Sequence, residues 1–199
     1  MNMKGIGRLW LLVGLVASNL LAACTQVHTE ATYVELSLDQ RVEGASIVAV
    51  GKVTDISETL WNQDNGQYWE EPSDDGGTIY TAISYYTVDI EVSQFVVADV
   101  ESATITVVGV GDSVAVGEGQ DGANGGLEVG DEVIVFAQRT ELAWRGEQTR
   151  PILELMGVPT ESYLIKGADG LYHSNNSSQA AISLDELMAK VATQRVSEE

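Results

Sequence analysis

Apolar and polar positions alternate most cleanly in "YYTVDIEVSQFVV", where Tyr86, Val88, Ile90 and Val92 face one way and Thr87, Asp89, Glu91 and Ser93 the other. A period of two over that length predicts a strand with one buried face. Upstream, "SIVAVGKVTDI" is almost continuously apolar and predicts a largely buried strand, with Gly51 marking a bend. Downstream, "ATITVVGV" and "GDEVIVFAQRT" predict a third and a fourth strand, the fourth entered through a Gly-Asp turn. After "AWRGEQTRP" come short strands at "ILELMG", "SYLIKG" and "GLYHS", the last two flanking a hairpin turn at Ala168-Asp169-Gly170. The period becomes helical on both flanks. In "SLDQRVEGA", Ser37 and Gln40 form a capping box, and Leu38, Val42 and Ala45 share a face. In "SLDELMAKVATQRV", Ser183 and Glu186 repeat the box ahead of a stripe of Leu184, Leu187, Met188 and Val191, which core packing explains. No repeat or linker divides the body, so the pattern predicts one β-rich domain flanked by helices.

The amino-terminal pattern is of another kind. Lys4 and Arg8 precede the short apolar run "LWLLVGLVA", which Ser18 and Asn19 interrupt before small residues lead to Cys24. That is the order of an export signal, and the run is too short to span a bilayer comfortably. Leu21-Ala22-Ala23-Cys24 resembles the bacterial lipobox, which implies cleavage before Cys24 and lipidation of its thiol. Cys24 is the only cysteine, so no intramolecular disulfide is available to the exported chain. Thr25 rather than Asp follows it, which by the same resemblance favours the outer membrane in a Gram-negative cell. The expected organisation is a signal peptide over 1–23, a tether over 24–35 and a single domain over 36–199. Removing the signal leaves 8 basic residues against 30 acidic ones, a net charge of −22. Such a surface repels phosphate backbones and argues against nucleic acid as a partner. About 175 residues remain, enough for one domain with a real core. Disorder is expected beside the anchor, in the final "SEE" and in part of "NQDNGQYWEEPSDDGG".

The succession "SIVAVGKVTDI", "YTVDIEVSQFVVAD", "ATITVVG" and "GGLEVGDEVIVFAQR" resembles the netrin-like domain shared with tissue inhibitors of metalloproteinases. The resemblance covers residues 36–140 and implies a mainly β fold, an OB-like five-stranded barrel with flanking short helices and a C-terminal helix. It rests on hydrophobic pattern and glycine placement, and the departures limit what it carries. The animal inhibitors use disulfides and a free amino-terminal cysteine on the protease zinc, whereas Cys24 would be lipidated with its amine blocked. The usual Lys-Gly before the third strand is replaced by "VVADVES". Zinc-protease inhibition therefore does not transfer, and fold alone does not decide function.

Two stretches carry candidate chemistry, the first of them in two ways. Gly111-Asp112-Ser113 resembles the start of a GDSL-type hydrolase motif, followed by Val. A serine esterase would need an Asp-x-x-His near the end, and Asp169 and His173 are one residue out of that register. In the same stretch Asp112, Glu118 and Asp121 are hard oxygen ligands on a flexible glycine-rich backbone, as calcium prefers, although the spacing matches neither the EF-hand pattern nor the Gly-Gly-x-Gly-x-Asp repeat. The default there is a solvated loop between strands. The second stretch, "TLWNQDNGQYWEEPSDDGGTIY", concentrates Trp61, Tyr68, Trp69 and Tyr80 among acids and amides. Polar loops place tryptophans either in a core or against a partner, and in OB-type barrels this loop borders the ligand face. Trp61 and Trp69 either fold back over the barrel mouth or contact a ligand. Trp144 with Arg145 and Arg150 forms a small basic-aromatic patch, open between pairing with acidic loops and marking a contact.

These readings predict a lipid-anchored envelope protein without catalytic activity. It would bind a protein or glycan through residues 60–80, with no obligatory cofactor. The alternatives are a calcium-stabilised structural module and, more remotely, an esterase using Ser113.

Overall fold

A computed structural model describes residues 35–72, 79–98, 102–111, 126–146, 148–157, 162–175 and 179–196. Cys24, Asp112, Ser113, Glu118 and Asp121 lie outside the described residues. In chain order the elements are α1 (Leu38–Gly44), β1 (Ile47–Ile56), β2 (Leu60–Trp61), β3 (Glu70–Pro72), β4 (Ile79–Thr81), β5 (Ser84–Val97), β6 (Thr104–Val110), β7 (Glu132–Trp144), β8 (Gln148–Leu155), β9 (Tyr163–Lys166), β10 (Tyr172–His173) and α2 (Leu184–Val196).

Five of the strands close into a ring. β5 pairs antiparallel with both β1 and β6, and β7 pairs antiparallel with both β1 and β8. β6 and β8 then meet in parallel at Val108 and Glu154, so the order β1-β5-β6-β8-β7 returns to β1. This is the mainly β, five-stranded OB-like arrangement expected, with a short helix before it and a helix at the C-terminus. β9 adds to the first half of β7, and β10 adds to β9 through the predicted hairpin, turned by Gly170 at φ +79°.

The hydrophobic pattern follows from what each strand touches. Tyr86, Val88 and Ile90 of β5 point into the ring with Ile47, Val53 and Val107, and the outward side of β5 is polar. The first halves of β1 and β7 are apolar on both faces because both faces are covered there. Val48, Val50, Ile134 and Phe136 point outward beneath α1 and α2, where they meet Val42 and Leu187. Both capping boxes form: Ser37 Oγ accepts from Gln40 N at 3.3 Å, and Ser183 Oγ accepts from Glu186 N at 3.3 Å. One position of the α2 stripe departs from expectation. Met188 stays 42% exposed at the edge of the helix, its sulfur accepting from Gln94 Nε2 at 3.4 Å. Arg41 is an unforeseen core residue. It is fully buried with its guanidinium 5.1 Å from the Phe136 ring centroid, and it donates to Gln179 Oε1. A guanidinium is weakly hydrated and planar, which suits it to stacking in such a place.

Gly51 marks the bend that the sequence suggests. The β1–β5 register shifts on both sides of it, between Val50 and Gly51 and between Val53 and Asp55. The strands approach so closely there that a Cβ would lie 2.5 Å from Glu91 O and 2.5 Å from Ile90 Cγ2.

Glu132, at the start of β7, ties the C-terminal hairpin to the ring. Its Oε1 accepts from Lys166 Nζ at 2.6 Å and from Tyr172 OH at 2.9 Å. The Lys166 hydrogen bond and then the Tyr172 hydrogen bond hold the Glu132 carboxyl below its ordinary value. Burial, with the Glu132 bond second, pushes the Tyr172 phenol up to about 12. A depressed carboxyl contributes stability that is present above the unfolded value, near about 4.3, and is lost as pH falls through the folded value. We expect Glu132→Gln to flatten the pH dependence of the unfolding midpoint below about pH 4.3 and leave its shape at neutral pH unchanged. Thermal unfolding across that range checks it. An unaltered acid limb would remove Glu132 from the linkage.

Candidate functional site

Two connections meet at one end of the ring: the long one from β1 to β5, and the short one holding Arg145 and Gly146 between β7 and β8. Gly146, at φ +89°, gives the left-handed residue that a short hairpin turn needs. In the long connection Gly66, at φ +66°, reverses the chain, so that Gly66 N donates to Gln63 O at 2.9 Å and Trp61 N to Gly66 O at 3.0 Å. Asn65 Oδ1 accepts from Gln67 N at 3.0 Å and stiffens the same turn. The expected partly disordered loop is, over residues 60–72, an ordered hydrogen-bonded structure carrying β2 and β3.

Asn62 organises it. The residue is only 2% exposed, and its backbone and side chain are engaged on every side. Its N donates to Ile83 O at 3.1 Å, and its O accepts from Arg145 N at 2.8 Å. Its Oδ1 accepts from Trp69 Nε1 at 3.0 Å and from Ile83 N at 2.8 Å, while Nδ2 donates to Ala143 O at 2.9 Å. A buried amide with this set of partners fixes one geometry, because any other leaves polar groups unpaired. It binds the long loop to the β7–β8 hairpin.

Trp69 therefore takes the folded-back place. Its indole N–H is spent on Asn62, and the Arg145 guanidinium sits 5.4 Å from its ring. Arg145 Nη1 also donates to Gln63 Oε1 at 2.8 Å, and Gln63 Nε2 donates to Gln67 O at 2.5 Å. Trp61 and Tyr68 come together in front, with centroids 5.0 Å apart and ring planes at 83°. Trp61 is partly covered, and Tyr68 is 50% exposed with its hydroxyl donating to Glu70 Oε2 at 3.1 Å. Tyr80 is in β4, paired with Glu71.

The basic-aromatic patch joins the same surface by pairing with the loop. Trp144 Nε1 donates to Asp64 Oδ1 at 3.1 Å, and Arg150 also donates to that oxygen. The Arg150 guanidinium lies 3.9 Å from the Trp144 ring centroid, and Tyr85 packs beside that ring at 6.0 Å. The Trp144 hydrogen bond, then the Arg150 bond and charge, hold the Asp64 carboxyl below its usual range. A cleft of about 290 Å³ opens between the two connections, lined by Gln63, Asp64, Asn65, Trp144 and Arg145. In OB-type rings these are the two connections that border a ligand face. Asn62, Gln63 and Asp64 follow no complete motif or periodicity in the sequence. The only local signal was the density of amides next to tryptophan.

The hydrolase residues are placed in part. His173 Nε2 lies 3.0 Å and 3.1 Å from the two Asp169 carboxylate oxygens, so the pair does meet despite its spacing. Both side chains are about half exposed on the β9–β10 hairpin, where the contact fastens the turn. Gly111 ends β6 at φ +110° and donates its N to Ser84 O at 2.8 Å. Among the described residues, no group of three or more His, Cys, Asp or Glu side chains is placed to hold a metal ion. Among them, too, no helix is long and apolar enough to cross a membrane. No protein-family model matches the chain, and comparison with curated proteins finds no match.

Proposed function

We propose that the protein is a lipid-anchored binding protein of the bacterial envelope. Cys24 carries the anchor, and a protein or glycan partner is held at the loop around residues 60–80 without catalysis. The lipobox and the export signal support the location. The observation that carries the binding reading is the Trp61–Tyr68 pair, a half-exposed tyrosine packed edge-on against a partly covered tryptophan, on a loop that Asn62 ties down. Binding to such a platform costs little ordering entropy, and aromatic anchors on a rigid base are where binding energy concentrates. Trp69, read from sequence as part of the contact, serves the platform from behind. The acidic surface keeps the domain away from anionic headgroups and phosphate backbones.

Co-sedimentation of residues 25–199 with envelope fragments tests the reading. The double variant Trp61→Ala/Tyr68→Ala is expected to weaken binding by at least tenfold, about 1.4 kcal/mol, while the unfolding midpoint stays near that of the parent. Undiminished binding by a folded double variant would sink it.

A further inference from the structure

We infer that the cleft beside this platform is a subsite for an uncharged saccharide of one or two rings, an assignment that rests on the binding reading above and narrows its ligand class. At about 290 Å³ the cleft lies at the small end of ligand sites. Its polar groups are of mixed kind, and the two that matter each have one atom already hydrogen-bonded within the protein. Asp64 Oδ1 is spent on Trp144 and Arg150, which leaves Oδ2 as an acceptor on a side chain that is 85% exposed. Asn65 Oδ1 is spent on Gln67 N, which settles the amide's orientation and leaves Nδ2 as a donor. An acceptor and a donor on consecutive residues match two neighbouring hydroxyl groups, one donating to the carboxylate and the other accepting from the amide.

The remaining wall is the Trp144 indole, whose plane is held by its own N–H bond to Asp64 and by Arg150 stacked upon it. A flat apolar edge beside paired polar groups suits the alternating C–H and O–H surface of a sugar ring. Charge points the same way. Asp64 is matched by Arg150, and the Arg145 guanidinium is occupied by Gln63 and the Trp69 face, so the cleft presents no strong field of either sign. The chain around it carries a net charge of −20, which disfavours an anionic sugar.

The test titrates the full-length chain, in a detergent without a sugar headgroup, with methyl glycosides of glucose, galactose and N-acetylglucosamine and with their disaccharides. Tryptophan fluorescence reports binding, and methyl glucuronide is the charged control. Saturable binding by at least one neutral sugar is expected, weakened at least tenfold by Asp64→Asn and by Asn65→Asp. Asp64→Asn turns the acceptor into a donor and Asn65→Asp turns the donor into an acceptor, and in both isosteric variants the unfolding midpoint should hardly move. Binding of the glucuronide alone would overturn the assignment, as would neutral-sugar binding indifferent to both variants. If no sugar binds while Trp61→Ala/Tyr68→Ala still loses envelope fragments, the saccharide subsite falls and the binding reading stands. If the double variant also keeps the fragments, both fall.

Discussion

Gly51→Ala is expected to destabilise the domain by about 3 kcal/mol, at the upper end of what overpacking costs, and to lower the unfolding midpoint by roughly 6–12 °C. The reason is space. The new methyl would meet the Glu91 carbonyl oxygen and the Ile90 side chain at 2.5 Å, and the nearest atoms belong to backbone and to a buried branched side chain that cannot swing away. β1 is covered by β5 on one edge and by β7 on the other, so it cannot retreat without opening a ladder. Gly130→Ala is the informative comparison. That glycine sits at φ +107° in the turn into β7 with nothing within 4 Å of an added Cβ, so its substitution carries backbone strain and no clash. The Gly51 variant should be the less stable of the two by a clear margin in calorimetry. Equal losses would mean that β1 does not bend against β5 as described.

How far this architecture was legible depended on what each segment touches. β5 was readable because one face is buried and the other wet, so its alternation survives in the sequence. β1 and β7 were readable only as apolar runs, since helices cover their outer faces, and a run does not say which neighbour lies on which side. β8 starts earlier than expected. The pattern predicts a short strand at "ILELMG", beginning after Pro151, yet Pro151 pairs with Glu141 inside an eight-residue strand. A proline is tolerated there because the other side of β8 meets β6 only at Glu154. At the site, the aromatics stood out in a polar loop, but their roles did not. Trp69 and Trp61 are eight residues apart in similar surroundings, and what separates them is Asn62. The partners of Asn62 and Asp64 at Ala143 and Arg150 are 81 and 86 residues away, and no local pattern encodes such pairings.

Asn62→Ala follows from that separation and should be nearly as damaging as the glycine change while failing differently. Truncation strips the partner from Trp69 Nε1, from Ile83 N and from Ala143 O together. A polar group left unpaired away from water costs about 1–3 kcal/mol, and water reaching these part-buried groups offsets part of the sum. A net loss of about 3 kcal/mol is expected, with a midpoint roughly 6–12 °C lower. The distinguishing readout is tryptophan emission below the transition. Trp69 loses its anchor and shifts to the red in Asn62→Ala, whereas in Gly51→Ala the loop is intact and the emission is unchanged. Binding separates the two again. Without Asn62 the long loop is no longer fastened to the β7–β8 hairpin, so Trp61, Tyr68 and the cleft at Asp64 lose their common frame. Affinity for envelope fragments should fall in step with loop order, even well below the unfolding transition. Native emission and native binding in a folded Asn62→Ala protein would show that the platform does not depend on this amide.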